Sequence, residues 1–158
     1  MNFFELITRM TQSAAQGDGK AVAECFTPEG EYHDCFYGSF QGADGIAELI
    51  EQHFHRDGED FIWDLHDPVS DGEVGYVRYV FSYASKLEES KGKRSLFEGV
   101  CICRLKDGLL SEYREVANAG TGLQLMGFPA ERLAKFLARE AKELAGRTES
   151  AHHLNLTS

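Results

Sequence analysis

The sequence predicts an α+β fold, in which helices and a strand meander occupy separate parts of one chain. Residues 2–16 carry apolar side chains at helical spacing. From residue 58 onward, four consecutive segments alternate apolar and polar side chains with a period of two. Residues 130–145 then return to helical spacing. Helices that precede a run of strands are typical of α+β domains, whereas alternating α/β domains interleave them.

The first half of the chain contains three predicted helices and one strand. Gly17 ends the first helix, Asp18 caps a short second one that runs to Phe26, and Asp44 caps the third. The intervening segments are predicted as a turn at 27–30, a strand at 31–37 and a loop at 38–42. On that strand, alternation places Tyr32, Asp34 and Phe36 on one face.

The second half is predicted to form the meander and a last helix. The strands are placed at 61–65, 74–85, 94–105 and 109–117. Asp71-Gly72 and Asp107-Gly108 are turn signals between strands. The glycine-containing segment 118–122 and the apolar residues after it are predicted as a flexible lip or an irregular loop. Residues 1–146 are interpreted as a single domain, and the polar residues 147–158 as a flexible tail.

Composition narrows the classes of partner. The chain has 158 residues, with 26 acidic and 16 basic side chains and a net charge of −10. Such a charge repels phosphate, so we expect no nucleic-acid and no membrane partner. The N-terminal segment has an acid within its apolar run and no basic leader, so it does not resemble a secretory signal. We therefore interpret the four cysteines as reduced thiols and expect a cytoplasmic protein.

The segments GDGKAVAECFTPEGEYHD and GADGIAELI, in this order of elements, resemble the nuclear-transport-factor-2-like superfamily. Within it, the chain is similar to the SnoaL-like branch, which holds polyketide cyclases, ketosteroid isomerases and limonene-type epoxide hydrolases. The resemblance covers about residues 3–128. It implies a cone-shaped, cystatin-like roll, in which a strongly curved mixed or antiparallel sheet wraps around the N-terminal helices. It also implies a small apolar ligand on the concave face.

The resemblance suggests four catalytic candidates, Asp34, Glu115, Arg78 and Tyr32. Asp34 stands where ketosteroid isomerases carry a proton-shuttling aspartate, and its alternative interpretation is a strand-end carboxylate bonded to the next turn. Arg78 and Glu115 are expected to meet in the concavity, either for catalysis or as a structural ion pair. The matches are incomplete, since the isomerase oxyanion positions hold Met10 and Cys101 and the epoxide proton-donor position holds Val80. The predicted pocket-lining residues are Trp63, Tyr76, Val80, Met10, Phe36 and Tyr113.

The expected function is binding of a small apolar, oxygenated molecule, with general acid–base chemistry of the isomerase, cyclase, dehydratase or hydrolase type. The alternative is a non-catalytic ligand-binding or dimeric assembly module. No cofactor and no metal site are predicted. If Arg78 faces inward, alternation places an aromatic stripe on the convex face, and we expect a homodimer through that stripe unless the C-terminal helix covers it. The stripe comprises Val77, Tyr79, Phe81 and Tyr83.

Overall fold

One six-stranded, strongly curved sheet organises the protein. The computed structural model describes residues 1–155. The strands are β1 (Phe26–Asp34), β2 (Gly38–Gln41), β3 (Gly58–Ser70), β4 (Val74–Ser85), β5 (Arg94–Lys106) and β6 (Leu109–Ala117). The helices are α1 (Phe3–Gln16), α2 (Gly19–Ala23), α3 (Gly42–Glu48), a π-helical turn (Leu49–Phe54), α4 (His55–Asp57), α5 (Ala119–Leu125), α6 (Ala130–Ala145) and α7 (Ala151–Leu154). Two 3₁₀ turns lie at Glu88–Ser90 and Thr148–Ser150. The α+β class and the curved mixed sheet are therefore confirmed.

The strand order is β2-β1-β6-β5-β4-β3, and only β1 and β6 pair in parallel. The pairing of β3 with β4 is interrupted twice. Asp60 and Asp67 sit at these interruptions with φ angles of 52° and 55°. A bulge of this kind bends a strand and increases its twist. The two bulges allow β3 to curl around the N-terminal helices.

The hydrophobic core lies between the concave face of the sheet and the helices. Leu6, Ile7 and Met10 of α1 are buried in it, together with Ile46 of α3 and Leu49 of the π-helical turn. These positions recur at the helical spacing that the sequence displays, so α1 buries one continuous face. Met10 is thus a core residue rather than a lining residue of the cavity described below, because α1 turns it into the helix–sheet interface.

Several element boundaries differ from the prediction. Residues 27–30 belong to β1 instead of forming a turn, and residues 38–41 form β2 instead of a loop. The predicted lip is the helix α5. Asp107 and Gly108 both have positive φ, as the turn signal predicts. The predicted tail contains the turn at Thr148–Ser150 and α7, while its last residues, 156–158, lie outside the described part of the chain.

The side chains of β4 point to the opposite faces of the sheet from those predicted. Arg78 lies on the outer face, where it approaches Asp67 (3.5 Å) and Glu98 (3.9 Å), so the predicted pair with Glu115 does not form. Because side chains alternate along a strand, the outward position of Arg78 fixes the faces of all other β4 residues. Tyr76 and Val80 are therefore outer-face residues and line no part of the cavity. The predicted convex stripe points inward, with three residues buried and one half-buried: Val77, Tyr79, Phe81 and Tyr83.

The C-terminal helix α6 flanks the outer face at β1 and β6, with which it lines a groove, and leaves Tyr76 of β4 and Val100 of β5 exposed. Its buried Phe136 packs on Phe36, with ring centroids 5.5 Å apart, and Arg139 donates to the Cys35 carbonyl oxygen at 3.3 Å. The helix therefore lies at the end of β1, beside the cavity. No helix within residues 1–155 is long and apolar enough to cross a membrane.

Candidate functional site

An aromatic cavity opens on the concave side of the sheet. Ten of its fifteen lining residues are aromatic and three are carboxylic acids. The lining comprises Tyr32, Asp34, Cys35, Phe36, Tyr37, Phe54, Asp57, Gly58, Phe61, Trp63, Tyr79, Phe81, Tyr83, Phe97 and Glu115. The volume of the cavity, counted as the space open to the centre of a water-sized sphere, is about 30 Å³. That space suits a few water molecules or one small ligand, since larger ligands need several hundred cubic ångströms.

Asp34 ends β1 and lines this cavity, with only 5% of its surface exposed. Its Oδ2 accepts hydrogen bonds from the backbone N–H groups of Phe36 (2.8 Å) and Tyr37 (3.0 Å). These bonds form the carboxylate-capped turn of the alternative interpretation. Burial, and then the negative charge of Glu115, nevertheless raise the pKa of Asp34 to about 7. The same residue therefore closes a turn and presents a carboxyl group that titrates near neutral pH.

Glu115 projects from β6 next to Asp34. Tyr32 of β1 pairs in register with Tyr113 of β6, and the parallel course of the strands brings the residues two positions further along side by side. The Glu115 Oε2 accepts from the Tyr79 hydroxyl at 2.5 Å and from the Tyr113 hydroxyl at 3.5 Å. Burial is the main cause that raises the Glu115 pKa, and these hydroxyl donors oppose it.

The two carboxyl groups act on each other. Ligand atoms of Asp34, Cys35 and Glu115 all lie within 4.8 Å of one another. Two buried carboxyl groups at such a distance do not ionise independently, so they lose their protons in two separated steps. The carboxyl group of Asp34 therefore keeps its proton up to near neutral pH. Burial also raises the pKa of the Cys35 thiol well above its ordinary value, which keeps that thiol protonated.

The hydroxyl of Tyr79 owes its position to a glycine. Gly99 of β5 faces Tyr79 in register, and a Cβ atom there would lie 2.6 Å from the Tyr79 hydroxyl oxygen. Glycine inside a strand is typical of such a close approach. The absence of a side chain at Gly99 leaves room for the Tyr79–Glu115 hydrogen bond. The sequence predicted Tyr79 on the convex stripe and not at the site. A glycine inside the neighbouring strand, Gly99, was the one sequence feature that indicated a close approach there.

Two buried polar atoms of the cavity lining lack a hydrogen-bond partner. They are the hydroxyl of Tyr32, a fully buried residue, and the Nε1 of Trp63. A buried donor without a partner is costly, since it has lost its bond to water. The Tyr32 hydroxyl also lies close enough to Tyr113 for that residue to lower the Tyr32 pKa, so the Trp63 N–H is the clearer unpartnered donor among the described residues. Among the other predicted residues, Phe36 lines the cavity, and Tyr113 lies behind it with its hydroxyl 3.1 Å from the Cys101 sulfur.

The third acid of the lining, Asp57, is held differently. Arg56 donates two hydrogen bonds to it, at 2.7 and 2.8 Å, and the Tyr37 hydroxyl donates a third at 2.8 Å. The hydrogen bonds from Arg56 are the main cause that lowers the Asp57 pKa. Asp57 is therefore an ionised and paired carboxylate, unlike Asp34 and Glu115.

Comparison with known proteins identifies the family. The profile of the SnoaL-like domain matches residues 7–113. The chain belongs to the SnoaL-like family. The match ends two residues before Glu115, so it leaves that residue to be judged from the structure. No curated protein matches the chain.

Solved structures of SnoaL-like and related proteins share the fold at low sequence identity. A protein of Catenulispora acidiphila DSM 44928 with a ketosteroid isomerase-like fold, solved with trimethylamine, is 15% identical with a TM-score of 0.71, over 80% of this chain and 95% of that one. An LEH-like epoxide hydrolase of M. tuberculosis is 12% identical with a TM-score of 0.63, and the match covers 77% of this chain and 86% of that one. IdmH of Streptomyces antibioticus, proposed to be a polyketide cyclase, is 18% identical with a TM-score of 0.61, over 79% and 98%. These similarities establish the cone-shaped fold of the superfamily.

Proposed function

We propose that this SnoaL-like protein is a cofactor-independent acid–base enzyme that acts on a small, apolar, oxygenated molecule. The observation that carries the proposal is the pair Asp34 and Glu115, two neighbouring buried carboxyl groups with raised pKa values at the wall of an aromatic cavity. A general acid or base works best when its pKa lies near the working pH, and burial moves the pKa of Asp34 there.

In this proposal, Asp34 moves the proton. Its Oδ2 is held by two backbone N–H groups, which fixes the orientation of the carboxyl group toward the cavity. Ionised Asp34 takes a proton from a C–H next to the ligand's carbonyl group and returns it at another atom. Burial, and then the negative charge of Glu115, raise the pKa of Asp34, and Tyr79 holds Glu115 in place.

The unpartnered donors complete the site. The Tyr32 hydroxyl or the Trp63 N–H would donate to the ligand oxygen on which negative charge develops. Arg78 takes no part in this proposal, because its guanidinium lies on the outer face beside Asp67 and Glu98.

Exchange of carbon-bound hydrogen tests this proposal without knowledge of the natural substrate. The protein would be incubated in D₂O with small cyclic ketones such as cyclopentanone, and deuterium uptake beside the carbonyl followed by NMR. We expect exchange above the buffer rate, and a loss of about 100-fold or more in Asp34→Asn. The matched control is Asp57→Asn, a carboxyl of the same cavity that is already paired with Arg56. Exchange that Asp34→Asn leaves unchanged would refute the role of Asp34.

The narrowness of the cavity favours a second candidate, a non-catalytic binding module. The centre of a water-sized sphere has only about 30 Å³ in which to move, so the cavity restricts the motion of any ligand. Saturable binding of a small ketone with no exchange in any variant would favour this candidate.

We also propose a cytoplasmic homodimer, with a different surface from the predicted stripe. The four cysteines are free thiols, as the prediction of a reducing compartment requires. On the outer face, exposed apolar side chains of β3, β4, β5 and β6 replace the inward-facing stripe as the candidate interface. They are Ile62, Val69, Tyr76, Leu96, Val100 and Val116.

A further inference from the structure

We infer that the aromatic cavity is a binding site for a small organic cation, an alkylated ammonium group. This inference rests on the proposed ligand-binding role of the cavity but does not depend on catalysis. It gives the cavity a positively charged occupant, whereas the acid–base proposal concerns an apolar, oxygenated one, so the two are tested by separate experiments.

The walls of the cavity have the chemistry that recognises such a cation. Trp63 and Phe81 meet at 4.9 Å between ring centroids in an edge-to-face arrangement, and Trp63 meets Tyr79 at 5.9 Å. Phe61 stacks on Phe81 at 6.0 Å. Faces of aromatic rings attract cations, with tryptophan the strongest, and aromatic cages are the common receptors for methylated ammonium groups.

The lining of the cavity has an excess of acidic over basic side chains. Among the described residues, no lysine, arginine or histidine lines it. Arg56 neutralises Asp57, but no salt bridge within residues 1–155 reaches Asp34 or Glu115. Buried ionised groups are costly unless they are paired. A cation in the cavity would supply the missing partner for this pair.

The size of the cavity also suits a compact cation. The centre of a water-sized sphere can move within about 30 Å³ of the cavity. If this volume is treated as one sphere and a water radius of about 1.4 Å is added, the cavity has a radius of about 3 Å. This radius is comparable with that of tetramethylammonium. A small metal cation would instead need several oxygen ligands to replace its hydration shell, and the walls consist mainly of rings.

Binding of a cation should be linked to proton release. A positive charge beside Asp34 and Glu115 favours their ionised forms, so binding should strengthen as the pH rises through about 7. Other groups that face the pair are Tyr32, His33, Cys35, Asp57, Tyr79, Cys101, Tyr113 and Glu140. The tyrosine and cysteine groups of this set stay protonated, because burial raises their pKa values. Ionised Asp57 adds a constant negative charge.

Calorimetric titration of the full chain tests the inference. Tetramethylammonium chloride would be titrated at pH 8 and at pH 5.5, with sodium chloride to keep the ionic strength constant. The uncharged comparison is tert-butanol, which has a similar size. We expect one saturable site for tetramethylammonium at pH 8, at least about tenfold tighter than for tert-butanol and weaker at pH 5.5.

Two variants locate the site. Trp63→Leu should weaken tetramethylammonium binding about tenfold, since it removes the best cation-binding ring. Tyr76→Leu is the matched control, because Tyr76 is an exposed aromatic residue on the outer face, and it should leave the affinity unchanged. Absence of saturable binding, or equal losses in both variants, would overturn the inference. Binding of tert-butanol as tight as that of tetramethylammonium would also overturn it, while leaving the proposed acid–base function to the deuterium-exchange assay.

Discussion

Replacing Asp34 with asparagine should stabilise the protein at alkaline pH. The pKa of Asp34 rises from its ordinary 3.8 to about 7 on folding, so the folded state binds the proton more tightly than the unfolded state. The stability of the natural protein therefore falls as the pH rises from about 4 to about 7. At pH values above 7, the full difference corresponds to about 4 kcal/mol. Asparagine has no such penalty, and its amide oxygen can still accept from the two backbone N–H groups.

Urea unfolding at pH 5 and pH 8 measures this effect. The linkage relation gives a penalty of about 2 kcal/mol at pH 5 and about 4 kcal/mol at pH 8. The stability of Asp34→Asn relative to the natural protein should therefore increase by about 2–3 kcal/mol between these pH values. Equal differences at both pH values would show that Asp34 ionises as it does in water and would refute the argument.

Asp57→Asn provides a control of opposite sign. The folded protein lowers the pKa of Asp57, so Asp57 contributes stability that is present at neutral pH and is lost as the pH falls through the lowered pKa. Asp57→Asn should therefore be less stable than the natural protein at pH 8, with the difference shrinking in acid. A shift in the same direction as that of Asp34→Asn would indicate a general effect of net charge.

The remaining predictions concern the supports of the site and the outer face. Tyr79→Phe should raise the pKa of Glu115 further, because a charge-assisted hydrogen bond is lost. A Glu115 that is more often neutral raises the Asp34 pKa less, so the pH profile of deuterium exchange should move downward. Gly99→Ala should produce the same displacement of the profile, and an unchanged profile would show that the Tyr79 hydroxyl tolerates the added methyl group. Arg78→Ala should change the free energy of unfolding by less than about 1 kcal/mol and leave exchange unaffected, since both ion pairs of Arg78 are exposed. Val100→Glu should shift light-scattering mass toward the monomer, and an unshifted mass would exclude the outer face as the interface.

The periodicity of the sequence predicted the strands of the meander well. The bounds of β4 and β6 match the prediction, because alternating side chains report a half-buried strand directly. Alternation divides a strand into two sets without saying which set faces the core. The set of Val77, Tyr79 and Phe81 is the more apolar one and is buried. The resemblance to epoxide hydrolases placed Arg78 inside instead, and one wrong position reversed the whole strand.

The closeness of Asp34 and Glu115 depends on an arrangement that local patterns do not record. The two residues lie 81 positions apart, and the parallel pairing of β1 with β6 brings them together. The residues that complete the site also come from distant elements: Tyr79 enters from β4, and Asp57 precedes β3. The bulges at Asp60 and Asp67, which curve β3, carry no distinct sequence signal beyond the tolerance of aspartate for positive φ.

The most direct test of the account is the pKa of Asp34, measured by NMR of a protein labelled with ¹³C at the aspartate and glutamate carboxyl carbons. The account predicts an Asp34 resonance with a midpoint near pH 7 in the natural protein, absent in Asp34→Asn. In Glu115→Gln, the midpoint should fall, because the neighbouring negative charge is removed. A midpoint near 4 in the natural protein would contradict the claim that Asp34 and Glu115 form a buried pair of interacting carboxyl groups.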